Sequence, residues 1–230
     1  LLFVFLFGSE KLGAKRWINL YVITIQPSEM MKLAIILSLA KYYSVFSTEE
    51  LHGVKKHLPA ICLIGIPVLL IMKQPDLGTA ILLSLVGCSI VFAAGLPIKY
   101  IVYTAIAISA SIPIIWKNLK TYQQNRVLTF LNPDRDPLGT GYHIMQSKIA
   151  VGSGGFCGKG FLNGTQSSLD FLPEKNTDFI FTALGEENGF IGACIIIILF
   201  IMLIIGLLIA SIECKNMFGR YICIGVATLI

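Results

Sequence analysis

The sequence predicts an all-α polytopic membrane protein, and three observations lead to that prediction. Of the 230 residues, 55% are hydrophobic and only 13% are charged, whereas soluble domains carry about 25% charged residues. Apolar runs of helical length recur along the chain, and close to half of the charged residues fall in one segment. A water-soluble globule is therefore excluded. The net charge of +5 is scattered, so we expect no nucleic acid among the partners.

Five apolar runs are predicted to cross the bilayer, whose hydrocarbon core requires about 20 helical residues. They are 30–46, 57–72, 77–98, 100–116 and 190–210. The two shorter runs lie between lysines, whose long side chains reach the interface. Partial apolar runs at 1–8 and 221–230 reach the chain ends. We therefore expect residues 1–230 to form a single transmembrane domain, a fragment truncated within a helix at each end.

A long polar segment at 117–187 interrupts this pattern. It holds 14 of the 31 charged residues, and eight glycines lie between Gly139 and Gly164. Loops of this length are usually functional or disordered, and the many Phe, Leu, Ile and Tyr residues argue against disorder. We predict a folded re-entrant or surface subdomain, with a short helix around 142–151 and loops at 131–141 and 152–170. The chemistry is expected here.

General catalytic motifs do not identify that chemistry. The stretch GSGGFCGKG (152–160) lacks the Walker spacing, because Ser153 stands where a glycine is needed and Gly160 follows Lys159. The six cysteines show no zinc-type spacing. An enzyme, a transporter and a scaffold all stay open. A transporter would place ionisable residues at the midplane of its helices, whereas the long runs here lack charge, which favours an enzyme at the membrane surface.

Longer stretches of sequence resemble the SEDS family (shape, elongation, division and sporulation) of bacterial cell-wall proteins. They are GAKRWI (13–18), QPSEMMKLA (26–34), QPDLGTA (74–80) and the stretch from NPDRDPLGTGYHIMQSKIAVGSGG to LGEENGFIG (132–192). The last stretch is more similar to the elongation members than to the division homologue. The resemblance implies a fragment of a roughly ten-helix bundle, in which 117–187 is a large extracytoplasmic loop between the seventh and eighth helices.

The resemblance further implies a multi-pass peptidoglycan glycosyltransferase of the bacterial cytoplasmic (inner) membrane. Such a protein polymerises lipid II, the undecaprenyl-pyrophosphate-linked disaccharide peptide, into glycan strands during cell elongation and cell-shape maintenance. Its implied partners are membrane lipid and a class B penicillin-binding protein. The alternatives are a transporter or flippase of the lipid-linked precursor, and the division homologue. The cofactor is unknown: the pyrophosphate needs Lys, Arg or a divalent cation, and the sequence shows no metal cage.

The catalytic candidate is Asp178, on which the family's aspartate falls. The sequence alone favours a helix N-cap or first-turn acid, stabilised by the helix macrodipole, and the resemblance favours a catalytic base instead. Transfer from a polyprenyl pyrophosphate needs a base on the acceptor hydroxyl more than an acid on the leaving group. One carboxylate therefore suffices as the general base.

Five further residues are predicted to bind substrate. Glu29 and Lys32 share one helix face, either as a local ion pair or as the polar floor of a lipid-facing cavity. Trp17 matches the family's tryptophan of the first outer loop, and an interfacial belt residue is the alternative. Lys148 and Lys159 are candidates for the pyrophosphate, with surface solvation as the alternative. One of the two adjacent glutamates at 186–187 is expected to face a polar interior.

Overall fold

A computed structural model of the chain describes a mainly helical protein with one small sheet. The described residues are 1, 4, 9–11, 14–19, 24–46, 50–74, 76–119, 121–132, 134, 140–161, 163–164 and 179–230. Within them lie eight α-helices and three short strands. The structure confirms that the chain is mainly helical, as predicted. The all-α prediction did not include the sheet.

The sheet precedes the first long helix. Strands β1 (Ser9–Lys11), β2 (Ala14–Asn19) and β3 (Thr24–Ile25) pair antiparallel in chain order. Lys11 faces Ala14, and Ile18 faces Ile25. The stretch AKRWIN does not alternate between apolar and polar residues, and such alternation is the usual sign of a half-buried strand. Pairing between neighbouring segments, which no local pattern records, therefore forms this sheet.

Six of the eight helices overlap the predicted apolar runs. The eight helices are α1 (Pro27–Ser44), α2 (Val54–Lys73), α3 (Leu77–Ala93), α4 (Ile98–Asn118), α5 (Thr121–Leu131), α6 (Thr140–Ser153), α7 (Ile180–Glu213) and α8 (Met217–Leu229). A 3-10 turn covers Glu50–His52. Helix α6 confirms the short helix predicted around 142–151, whereas α5 was not predicted.

Two of these helices are long and apolar enough to cross a membrane by length and composition, at Lys55–Lys73 and Ile180–Glu213. Shorter apolar helices occupy Leu77–Ala93, Ile98–Pro113 and Met217–Leu229. The most apolar stretch of α7 buries none of its residues within the described chain. A surface of this kind requires an apolar environment around it.

The chain forms two compact units, and the first comprises Leu1–Thr104 and Met202–Ile230. Here α8 packs against α1 and α3, and α2 packs against α3. A Cβ on Gly87 would lie 2.6 Å from Ile64, and one on Gly225 would lie 2.9 Å from Ile36. Small residues at these contacts let the helices approach closely, as is usual in membrane proteins.

A buried polar contact fixes the link between α1 and α2. The Tyr43 hydroxyl lies 2.9 Å from Nδ1 of His57, and Nε2 of His57 lies 2.9 Å from the carbonyl oxygen of Leu51. A carbonyl only accepts, so Nε2 carries the proton and Nδ1 accepts from Tyr43. Both side chains are fully buried, and their polar atoms are satisfied in pairs, as burial requires.

The second unit comprises Ala105–Ile201. It contains α5, α6, the first part of α7 and a loop at 154–161, which we call the glycine-rich loop. Helix α7 is interrupted at Gly189, whose φ of 63° and ψ of −163° are not helical. This combination of angles is accessible essentially only to glycine. The break divides α7 into a short first half at 180–188, most of which belongs to the polar segment, and a long apolar second half at 190–213.

Candidate functional site

The first group of candidate residues lies at the start of α1. Pro27 occupies the first turn, where its fixed φ suits a helix and its missing N–H costs nothing. Nζ of Lys32 lies 2.7 Å from Oε2 of Glu29, one turn away. The Lys32 side chain is 14% exposed and that of Glu29 is 50% exposed. The predicted proximity of these two residues is confirmed, and the cation is the more enclosed partner.

A second polar contact, which the sequence reasoning missed, joins the starts of α1 and α3. Nε2 of Gln26 donates to Oδ2 of Asp76 at 3.1 Å. The other Asp76 oxygen accepts from the backbone N–H of Thr79 and caps α3. The dipeptide Gln-Pro occurs at 26–27 and again at 74–75, near the start of each helix, but it does not predict a contact between residues 50 positions apart.

Trp17 lies in the middle strand of the sheet, where it is partly buried and faces Ser9 on β1. Strand β2 lies against α1, and β3 leads directly into Gln26 at the start of that helix. The fold therefore brings the strand of Trp17 to the helix that holds Glu29 and Lys32. All three residues belong to the first unit.

In the second unit, the glycine-rich loop joins the break in α7 through backbone hydrogen bonds. The N–H groups of Lys159 and Gly160 donate to the carbonyls of Glu186 and Glu187, at 3.1 and 3.0 Å. On the other side of the break, the N–H groups of residues 190 and 191 donate to the carbonyls of residues 155 and 156, at 2.8 and 3.1 Å. The loop thus supplies the partners that an interrupted helix lacks.

The approach of loop and helix is close enough to require glycine. A Cβ on Gly154 would lie 2.2 Å from the carbonyl oxygen of Gly185, and one on Gly158 would lie 2.1 Å from that of Glu187. Separations below 3.0 Å to backbone atoms force a shift of the chain. The glycines of GSGGFCGKG therefore serve the contact with α7.

An ion pair also joins the glycine-rich loop to α7. Nζ of Lys159 lies 2.8 Å from Oε1 of Glu186. The Glu186 side chain is fully buried and that of Lys159 is 27% exposed. A buried carboxylate requires such a partner, because an isolated buried charge is strongly unfavourable. Of the two adjacent glutamates, Glu186 is therefore the one that faces inward.

The other candidates of this unit lie elsewhere on it. Lys148 is exposed on α6. Nearby on that helix, Nδ1 of His143 is buried without a hydrogen-bond partner among the described residues. The structure pairs Lys159 with Glu186, and the Lys159 side chain as a whole is 27% exposed.

The catalytic candidate Asp178 lies outside the described residues, as does all of 165–178. The chain is described again from Phe179, whose carbonyl accepts from the N–H of Ala183 at 3.1 Å, and α7 begins at Ile180. No group of three or more His, Cys, Asp or Glu side chains suited to a metal ion occurs in the described parts of the chain.

Comparison with known proteins identifies the family. The FtsW/RodA/SpoVE family model, described as "Cell cycle protein", matches residues 1–230. The chain belongs to the FtsW/RodA/SpoVE family. The resemblance expected from the sequence is thereby confirmed, and it extends over the whole chain.

Two curated members of this family illustrate the similarity. The chain is 46% identical to "Peptidoglycan glycosyltransferase MrdB" of Escherichia coli (strain K12) over 216 residues, which are 93% of the chain. It is 37% identical over 224 residues, or 96% of the chain, to "Probable peptidoglycan glycosyltransferase FtsW" of Trichlorobacter lovleyi. The chain spans 58% of the length of each relative.

Solved structures of FtsW/RodA/SpoVE proteins share the fold. A structure described as "Structural coordination of polymerization and crosslinking by a peptidoglycan synthase complex" matches with a TM-score of 0.78 and 30% identity, covering 99% of this chain and 62% of that one. The rod shape determining protein RodA of Thermus thermophilus matches with a TM-score of 0.60 and 24% identity, covering 99% and 57%. The second similarity concerns the fold alone.

Proposed function

We propose that the full-length protein is a peptidoglycan glycosyltransferase that polymerises lipid II into glycan strands during cell elongation and cell-shape maintenance. The observation that carries this proposal is the 46% identity over 93% of the chain to a protein named as such an enzyme. Two proteins that share this much sequence descend from a common ancestor, and this common origin supports a shared reaction. The activity is proposed for the whole protein, since the chain spans 58% of that relative.

In the proposed reaction, Asp178 removes the proton from the acceptor sugar hydroxyl. The hydroxyl oxygen attacks the anomeric carbon of the donor sugar, and the bond to the polyprenyl pyrophosphate breaks with inversion. The leaving group takes the bonding electrons as a pyrophosphate anion, which positive charge stabilises. Lys148, exposed on α6, and the accessible part of Lys159 are the cations proposed for this role.

The paired residues on α1 are proposed to bind the lipid-linked sugar. Lys32 is largely enclosed, and Glu29 beside it is half exposed, so the pair presents a carboxylate and part of an ammonium group at the end of an apolar helix. Ionisable groups in membrane helices usually face a cavity or a partner. Trp17, on the strand that lies against α1, is proposed to contribute an aromatic surface to the same cavity.

The proposed location is the bacterial cytoplasmic membrane, with 117–187 as a single large loop on the outer face. Lipid II polymerisation outside the cytoplasm requires this side. The proposed protein partner is a class B penicillin-binding protein. The 30% identity to a chain of a peptidoglycan synthase complex supports a partner of that kind.

Purified full-length protein and its Asp178→Asn variant test the catalytic proposal with lipid II as the substrate. Asparagine keeps the shape of the side chain and removes its basicity, and loss of a general base lowers rates by about 10²–10⁴-fold. Asparagine also caps helices about as well as aspartate, so a cap alone predicts an unchanged rate. Near-normal polymer from a stably folded variant would reject Asp178 as the base.

The same purified protein distinguishes the glycosyltransferase from the transporter alternative. Reconstituted vesicles loaded with lipid II on one leaflet report translocation, and gel analysis of the lipid products reports polymer. Polymer in detergent, where no leaflets exist, supports the glycosyltransferase. Translocation in vesicles with no polymer under either condition would replace it with a flippase.

A further inference from the structure

The glycine-rich loop exposes large aromatic side chains. Phe156 is 75% exposed and Phe161 is 81% exposed, and both belong to the loop that joins the break in α7. The ring of Phe156 packs edge-on against that of Phe190, with 6.0 Å between the ring centroids. Phe190 is itself largely exposed. The loop therefore extends an apolar surface that begins on the helix.

The position of Phe190 along α7 gives the depth of this surface. Residues 190–212 contain no charged residue, and 23 helical residues span about 34 Å at a rise of 1.5 Å each. The hydrocarbon core of a bilayer is about 30 Å thick. Phe190 thus lies at the edge of the hydrocarbon core when this half of α7 crosses it.

Backbone contacts place the loop at the same level. The carbonyl of Phe156 accepts from the N–H of Ile191, one residue further along the apolar half of α7. Gly160, directly before Phe161, donates to the carbonyl of Glu187, which lies three residues before Phe190 in the chain, on the other side of the break. Both exposed aromatic residues therefore lie near the edge of the hydrocarbon core.

The loop meets the conditions for backbone outside a regular helix at that depth. Such backbone is tolerated only where its polar groups are bonded to protein or to water. Five N–H groups of residues 154–160 donate to backbone carbonyls, two of them to α7. The cation of this stretch, Lys159, is paired with buried Glu186. These bonds of five of the seven N–H groups, together with the ion pair, reduce the polar cost of contact with lipid.

We propose that the loop at 154–161 enters the lipid bilayer, with Phe156 and Phe161 in contact with the acyl chains of one leaflet. Continuity with the apolar face of α7, whose most apolar stretch is unburied, identifies lipid as the occupant. This proposal concerns membrane contact and stands whether or not the protein polymerises lipid II.

Spin labelling at Cys157, an exposed residue next to Phe156, tests the proposal in full-length protein reconstituted in phosphatidylglycerol–phosphatidylethanolamine vesicles. All other cysteines are replaced, and power saturation measures contact with oxygen, which partitions into lipid, and with a water-soluble nickel chelate. Matched labels at Ile198, on the apolar half of α7, and at Asn163, exposed after the loop, give the lipid and water references. We expect the oxygen-to-nickel ratio at Cys157 to lie clearly above that at Asn163.

Two other outcomes would overturn the proposal. A ratio at Cys157 equal to that at Asn163 would place the loop in water. Low contact with both reagents would mean that protein, from the remainder of the chain or from a partner, covers the aromatic residues. Replacing Phe156 and Phe161 together by serine is expected to move the ratio at Cys157 toward the Asn163 value, and an unchanged ratio would also reject the proposal.

A second probe avoids the bulk of the nitroxide. Phe156→Trp, in a chain whose other tryptophans are replaced by phenylalanine, keeps an aromatic ring at the position. Lipids brominated near the top of the acyl chain should quench its fluorescence more than lipids brominated near the chain end. Absence of quenching by either lipid would contradict membrane contact.

Discussion

Lys159 donates a hydrogen bond from Nζ to Oε1 of Glu186 at 2.8 Å, and this pair joins the glycine-rich loop to the first half of α7. The Glu186 side chain is fully buried, whereas the Lys159 side chain is 27% exposed. A buried pair need not stabilise a protein more than apolar residues would. Breaking such a pair is costly, however, because one charge stays buried without its partner.

We therefore expect Lys159→Met to lower the free energy of unfolding of the full-length protein by about 3–5 kcal/mol, the usual cost of breaking a buried pair. The double variant Lys159→Met with Glu186→Gln should recover part of that loss, because no charge is left buried. Thermal unfolding of the purified variants in detergent measures both effects.

Glu213→Gln is the matched control for charge removal on the same helix. Glu213 is exposed at the end of α7, and surface substitutions usually change stability by less than about 0.5 kcal/mol. Equal losses in Lys159→Met and in the double variant would show that the ion pair is not what the single substitution breaks.

The break in α7 leads to a prediction about Gly189. Alanine at this position would adopt backbone angles that are essentially restricted to glycine, and its Cβ would lie 2.3 Å from the backbone nitrogen of Gly158. Backbone strain of this kind costs about 1–3 kcal/mol, to which the steric overlap adds. Gly189→Ala is therefore expected to lower the unfolding midpoint in detergent strongly.

Gly206→Ala provides the comparison within the same helix. Apart from the backbone of its own helix, a Cβ at Gly206 meets no atom of the described residues within 4 Å, and alanine is favoured over glycine inside helices. The unfolding midpoint of this variant should be unchanged or slightly higher. Similar losses at the two positions would mean that α7 is not interrupted at Gly189.

Substitution of the paired residues on α1, Glu29 and Lys32, distinguishes a structural role of the pair from a role in binding substrate. An exposed i,i+3 ion pair stabilises by about 0.2–0.5 kcal/mol. Because Lys32 is only 14% exposed and loses this partner, Glu29→Ala should lower thermal stability by more than that amount. Hydrogen bonds from charged groups to a ligand contribute about 1.5–3 kcal/mol, which corresponds to tenfold or more in rate. We expect at least a tenfold loss of lipid II polymerisation.

Two further variants test what causes that loss of polymerisation. Lys41→Ala, exposed in the last turn of the same helix, should leave polymerisation near normal. The exchange Glu29→Lys with Lys32→Glu keeps the pair and reverses its field, so it should stay impaired. Full activity in the exchanged protein would show that only the pairing matters and that neither residue contacts substrate.

Membrane sidedness is tested by two introduced cysteines in full-length protein that lacks its native thiols. Asn163→Cys lies in the proposed outer loop, and Gly53→Cys lies at the exposed start of α2. In intact spheroplasts, a membrane-impermeant maleimide should label the first and spare the second, and both should react after lysis. The reverse pattern would contradict the proposed orientation.

Local patterns in the sequence predicted the parts of the fold that neighbouring residues determine. The apolar runs predicted where six of the helices lie, two of which are long and apolar enough to cross a membrane. The three-residue spacing predicted that Glu29 and Lys32 are close. The pairing of Lys159 with Glu186 was missed, because 27 residues separate the two and no local rule connects them. Only the packing of the loop against α7 brings them together.

The break at Gly189 illustrates the same limit. Glycine is frequent inside membrane helices, so a single glycine before an apolar run does not predict an interruption. The interruption depends on the glycine-rich loop, which supplies the hydrogen bonds that the helix loses. The sheet was missed for a related reason, since pairing between segments rather than an alternating pattern forms it.

The order of the chain in the first unit has a consequence for biosynthesis. Helix α8 packs on α1 and α3, and the hydroxyl of Thr228 donates to that of Ser89 at 2.9 Å, 139 residues earlier. The 97 residues of Ala105–Ile201 must be translated in between, which takes roughly 5–20 s at 5–20 residues per second. During that interval the faces of α1 and α3 that α8 covers in the folded protein lack this partner. The first unit therefore completes its packing only after α8 has emerged from the ribosome.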